Sequence, residues 1–123
     1  MTKLRREIDE YEADLYKVQE PSWLNRLLGL FMQSKHGELE MKVYDDGERE
    51  MKFKLYGLNV PDGSTVSAVV DGNAAFEVRV DRGQVRMFFS SARGDSIPIV
   101  RNGSVVQIRY GGETLLEGTF RPD

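Results

Sequence analysis

The chain has 123 residues, 30% of them charged and 40% apolar or aromatic, which fits one globular domain and argues against disorder. Twenty acidic side chains against seventeen Lys and Arg leave a formal charge of -3, so no basic balance points to a nucleic-acid partner. Cysteine is absent, which removes disulfides, thiolate zinc sites and cysteine nucleophiles together.

The first residues, MTKLRREIDEYEADLY, lack the apolar core of a secretory signal. No apolar run approaches the ~20 residues that span a bilayer as a helix, so a cytoplasmic location is the default expectation. Leu4, Ile8, Tyr11, Leu15 and Val18 recur at alternating helical spacings and fall on one stripe of a first helix, closed by Glu20 and Pro21. So short a helix is marginal in isolation and must lean on something. Lys3, Arg5 and Arg6 open it against the macrodipole, an order that the acidic middle of an antiparallel partner would offset.

A second helix is expected from a Ser22 cap to Gly37 as its left-handed stop, over 22–36. Trp23, Leu24, Leu27, Leu28, Leu30, Phe31 and Met32 would cover an arc of about 200°, against the ~100° stripe of a one-sided helix. Burial of such side chains is worth ~1.5–3 kcal/mol each, so a soluble domain does not leave them as one open patch. These two helices form a predicted N-terminal arm over residues 1–37, ahead of a β-domain over 38–123.

After Gly37 the pattern alternates. ELEMKVY and REMKFKLY each place apolar side chains on one face and charges on the other, with DDG between them as a three-residue turn. That turn sets Leu39 opposite Phe53 and Met41 opposite Met51. It also sets Lys42 against Glu50, Glu40 against Lys52 and Glu38 against Lys54, so one register suits both faces. A second hairpin, AFEVRVDRGQVRMFF, turns at Arg82 and Gly83 and is expected to pair Val80 with Val85, Val78 with Met87 and Phe76 with Phe89. VPDGS is a proline–glycine turn, and TVSAVVDGN is a strand with either Val69 or Val70 facing inward.

VPDGSTVSAVVDG, from Val60, is echoed forty positions later by VRNGSVVQIRYGG, from Val100. Gly63/Gly103, Ser64/Ser104, Val66/Val106 and Gly72/Gly112 coincide, so Val66 and Val106 are expected in equivalent places. Seven strands follow, near 38–44, 48–57, 65–71, 74–81, 84–91, 104–110 and 113–120. The fold expected is mainly β: a seven-stranded antiparallel sandwich of immunoglobulin-like architecture or a partly open barrel, with the helical arm attached.

Reactive chemistry is sparse. The lone histidine, His36, reads as a cap beside Gly37, and no Ser-His-Asp set is arguable. Asp45, Asp46, Asp62, Asp71, Asp81 and Asp95 read as turn residues, without the spacing of a calcium loop. The glycines of DDG, PDG, DRG and YGG read as hairpin residues, not a phosphate loop. RGD at Arg93–Asp95 lies in the long connection 92–102, whose Ile97, Pro98 and Ile99 are expected to tuck against the core. Tyr44, Tyr56 and Phe88 fall on outward faces, where a cluster would mark a surface covered by the helices.

The expectation is therefore a non-enzymatic module, without metal or cofactor, that binds protein (another copy or a larger partner) through Trp23, Leu24, Leu27, Leu28, Phe31, Leu4, Ile8, Tyr11 and Leu15. The alternatives are attachment to a membrane surface through the 22–36 helix, which the acidic arm disfavours, and a small-ligand or carbohydrate-binding sandwich.

Overall fold

A computed structural model of the chain describes residues 6–18 and 35–123. Among these residues there are nine strands: β1 (Glu7–Lys17), β2 (Lys35–Tyr44), β3 (Arg49–Leu55), β4 (Thr65–Val70), β5 (Asn73–Arg79), β6 (Val85–Ser90), β7 (Val105–Tyr110), β8 (Glu113–Thr119) and β9 (Arg121–Pro122). They form one antiparallel sheet in the order β5-β4-β7-β8-β1-β2-β3-β6, with β9 alongside β1. The sheet curls into a nearly closed barrel, so the partly open barrel holds and the two-layer sandwich does not. All seven expected strands are present, and the two unforeseen ones are β1 and β9. Among the described residues no helix is long and apolar enough to cross a membrane.

The first expected helix is a strand. Residues 7–17 lie along β2, with Tyr11 opposite Met41, Ala13 opposite Leu39 and Leu15 opposite Gly37. Ala13 and Leu15 are fully buried, whereas Ile8 and Val18 of the helical stripe are 55% and 48% exposed. EYEADL also alternates with period two, and that period wins because two neighbouring edges, β2 and β8, supply ladders that an isolated helix cannot match. The second expected helix lies mostly outside the described residues, but its last two, Lys35 and His36, belong to β2. Gly37 is therefore no helix stop. It is an interior strand position where a Cβ would meet Leu55 Cδ2 at 2.7 Å and the Lys54 carbonyl oxygen at 2.8 Å.

The β2–β3 hairpin has the expected register throughout, from Glu38 opposite Lys54 to Lys42 opposite Glu50. Its turn closes through Gly47 N–H to the Tyr44 carbonyl at 3.0 Å, with Gly47 at φ 85°. Core and solvent faces both select this pairing.

The sequence echo is a structural repeat. In β4–β5, Thr65 pairs with Arg79 and Val66 with Val78; forty positions on, in β7–β8, Val105 pairs with Thr119 and Val106 with Gly118. Both ladders slip at the same point, between Ala68 and Val69 and between Ile108 and Arg109. The entry turns match as well, for Gly63 donates to Val80 at 2.9 Å and Gly103 to Phe120 at 2.7 Å. Val66 and Val106 are both fully buried. The two hairpins meet along β4 and β7, where Ala68 faces Ile108, its own counterpart, and Val69 faces Gln107. This four-stranded half thus has a local pseudo-twofold axis at the Ala68–Ile108 pair.

The β5–β6 hairpin departs from expectation. Arg82 and Gly83, at φ 53° and 72°, make the two-residue turn, and Asp81 and Gln84 form its only bridge. Beyond it the strands part and become the two ends of the sheet, so Val80–Val85 and Val78–Met87 are not ladder pairs. Each strand instead finds a longer partner on its other side, β4 for β5 and β3 for β6. Phe76 and Phe89 do meet, as stacked rings 4.3 Å apart, and Phe53 contacts both edge-on. Side chains, not backbone hydrogen bonds, close this seam of the barrel. Leu39, Met41, Met51, Phe53, Ile108, Leu116 and Phe120 fill the interior.

Candidate interaction surface

Of the residues expected to form one apolar surface, the three that are described have separate places. Leu15 is in the barrel core, Tyr11 packs against that core from one side, and Ile8 is exposed. Leu4, Trp23, Leu24, Leu27, Leu28 and Phe31 lie outside the described residues. Sequence reasoning misplaced Leu15 and Tyr11 because it followed a period near 3.5 through a segment that also alternates at two.

The end of the barrel from which the β1–β2 connection departs is well defined. Val18 N–H donates to the Leu115 carbonyl at 3.1 Å, which holds the chain against β8 where it leaves. Where it returns, the Lys35 ammonium lies 2.9 Å from Asp14 and 3.1 Å from Glu38, and Arg121 reaches Asp14 at 2.9 Å. The Lys35 ammonium, helped by Arg121, holds the Asp14 carboxyl below the usual aspartate range against the opposing effect of burial. Beside these groups runs a groove of about 460 Å³, lined by Tyr16, Lys17, Val18, Val105 and Gly118 among others. Of its charged groups, Asp14 takes Lys35 and Arg121, and Glu117 takes Gln107.

Outward-facing side chains form ordered rows across β1, β2, β3 and β6. One row reads Asp14, Glu38, Lys54, Arg86 and the next Glu12, Glu40, Lys52, Phe88. A third reads Glu10, Lys42, Glu50, Ser90. Carboxylates crowd the β1 side, where Glu12 stands directly opposite Glu40. A hydrogen bond shared with Glu40, then burial and the neighbouring Glu7, push Glu10 up to about 7. Burial, followed by the charges of Asp123 and Asp14, raises Glu12. The carboxylates of Glu10, Glu40 and Asp123, and those of Glu12, Asp14 and Glu38, converge closely enough to share a hard cation. In the first trio Glu10 is the carboxyl that is raised, and Asp14 of the second is already engaged by Lys35 and Arg121.

Other singled-out residues have local roles. His36 Nδ1 lies 3.0 Å from the Tyr56 carbonyl oxygen, and its ring rests near Tyr56 and Gly57. Asp46, Asp62 and Asp71 each accept a backbone N–H at a turn. Arg93 and Asp95 of the RGD triplet pair with each other at 2.9 Å. Asp95 also accepts the Ser90 N–H and returns its own N–H to the Ser90 carbonyl, while Arg93 donates to the Phe88 carbonyl at 2.6 Å. The triplet thus satisfies the outer edge of β6, a device that blocks further strand addition there. The Ser90 N–H, followed by the Arg93 guanidinium, holds the Asp95 carboxyl below its usual range. In the same connection Ile97 is buried, as expected, whereas Ile99 is 68% exposed. Tyr44, Tyr56 and Phe88 meet different partners: Glu50, His36 and Arg93.

The chain matches no family model, no curated protein and no solved structure.

Proposed function

We propose that this chain is a non-enzymatic interaction module whose barrel presents the β1–β2 connection to another protein. One observation carries the reading. β1 and β2 are immediate neighbours, and antiparallel neighbours need only two to five connecting residues, as the turn at 45–47 between β2 and β3 illustrates. Residues 18–34 separate them instead, and that span contains Trp23, Leu24, Leu27, Leu28, Leu30, Phe31 and Met32. Long connections held by a rigid scaffold are the usual carriers of binding, and aromatic and aliphatic anchors are what a protein interface buries at its centre.

The test is the mass of the full chain in solution at about 1 M salt, where contacts between exposed charges are screened. The expected result is association that grows with concentration and disappears when Leu27 and Phe31 both become Glu, with the unfolding midpoint unchanged. A wild type that stays monomeric, together with a double variant that unfolds several degrees earlier, would show those side chains covered within one molecule and overturn the reading.

A further inference from the structure

We propose that the outer face of β1, β2, β3 and β6 is a self-complementary docking surface for a second copy of this chain, independent of the β1–β2 connection. Two adjacent rows on this face are ordered by sign. Asp14, Glu38, Lys54, Arg86 reads acid, acid, base, base, and Glu12, Glu40, Lys52, Phe88 reads acid, acid, base, aromatic. A twofold axis lying in the contact plane, parallel to the strands and midway between β2 and β3, reverses each row onto its copy. Lys52 and Lys54 of one molecule then face Glu40 and Glu38 of the other, Phe88 falls on Glu12 and Arg86 on the Asp14 that Lys35 and Arg121 already hold, and the same contacts recur on the far side of the axis. That is an isologous, closed interface.

Outside the matched β2–β3 pairs, two cross-strand contacts of the isolated face are unfavourable. Glu12 directly opposes Glu40, and Lys54 directly opposes Arg86, and like charges across strands repel. Lys52, Lys54 and Arg86 are exposed and form no ion pair with a described carboxylate. Phe88, 45% exposed, has the Arg93 guanidinium 5.8 Å from its ring centroid, so the ring that meets Glu12 of the copy carries a cation beside it. Four flat strands at ~4.8 Å spacing with three outward residues along each would give on the order of 400 Å² per copy, about half a standard interface, and the curvature of the barrel centres the contact on β2 and β3 and makes it smaller. The dimer is accordingly weak, and steered by charge rather than by burial.

The decisive experiment uses sedimentation equilibrium on the full chain carrying Leu27→Glu/Phe31→Glu, which removes association through the β1–β2 connection, and on two charge reversals in that parent, Lys52→Glu and Glu40→Lys. The parent is expected to dimerise at about 50 mM salt and to lose at least about tenfold in affinity by 1 M. Each reversal alone is expected to remain monomeric at low salt, whereas an equimolar mixture of the two restores opposite charges at both contacts between positions 40 and 52 and regains a dimer. Circular dichroism checks that both reversals are folded, and the salt series on the parent stands whether or not they are. Low-salt monomers of the parent up to millimolar concentration would overturn the proposal. So would folded reversals that each dimerise as the parent does.

Discussion

The hairpins β4–β5 and β7–β8 share entry turn, register and bulge, yet they end in different surroundings. β8 is followed in the sheet by β1, which pairs with it at Tyr16–Glu117 and Lys17–Leu116, whereas β5 is a free end. The decisive position is Val78 in the first hairpin and Gly118 in the second. Val78 is buried and packs the barrel beside the seam. At Gly118 a Cβ would run into the Asp14 carbonyl oxygen and Leu15 Cδ2, so the missing side chain is what lets β1 come close. One repeated scaffold thus makes a sealed edge in one copy and an accepting edge in the other, with Val78 against Gly118 as the difference in side-chain volume at the point of approach. The seals differ too: the counterpart of Phe76, which stacks across the seam, is Leu116, which lies in the core beneath β1.

Four measurements break or sharpen this contrast. Phe76→Ala removes the ring that bridges the unbonded strands and is expected to cost about 3–5 kcal/mol in urea unfolding, the range for truncating a core aromatic. A loss below 1 kcal/mol would mean that the seam is closed by something other than the stacked rings. Gly118→Val gives the second hairpin the side chain of the first. Since the obstacle is backbone, the strain is expected near the top of the overpacking range, about 3 kcal/mol. Amide exchange should locate it in β1 and β8, and a neutral result would show that β1 does not approach β8 at Asp14.

Asp95→Ala strips the cap from the other free edge, β6. Stability should fall little, but the Ser90 amide, whose acceptor is the Asp95 carboxylate, should lose its exchange protection while the β4 and β7 amides keep theirs. Unchanged protection at Ser90 would remove the capping role of the RGD triplet. The smallest effect is a pH dependence on the accepting side. Glu10 is raised from 4.5 to about 7 in the fold by its hydrogen bond with Glu40, burial and Glu7. Between those values the folded chain holds a proton that the unfolded chain has released. That contribution is complete below about 4.5, and it is lost as pH rises through about 7. Glu10→Gln should flatten the decline over that window, and a variant with the wild-type slope would place its origin elsewhere. Asp14 acts oppositely, since its lowered carboxyl adds stability above the unfolded value that is lost as pH falls through the folded one.

Local chemistry was enough for much of this molecule. The register of β2–β3, the seven strands after Gly37, the turns at Gly47, Gly63, Gly103 and Arg82–Gly83, and the equivalence of Val66 with Val106 all rest on period-two alternation, turn residues and charge pairs a few positions apart. Such signals are complete within one hairpin, so the sequence by itself determined them. Only the tertiary structure decided which edges meet. Residues 7–17 carry both a helical and a strand period, and β2 and β8 resolve the ambiguity by offering backbone partners from elsewhere in the chain. The parting of β5 from β6 is decided in the same way, because β4 and β3 hold them more extensively than they hold each other. The rows of charge across four strands arise there too: Glu12, Glu40, Lys52 and Phe88 become neighbours only when the sheet is assembled, and no local pattern records that order.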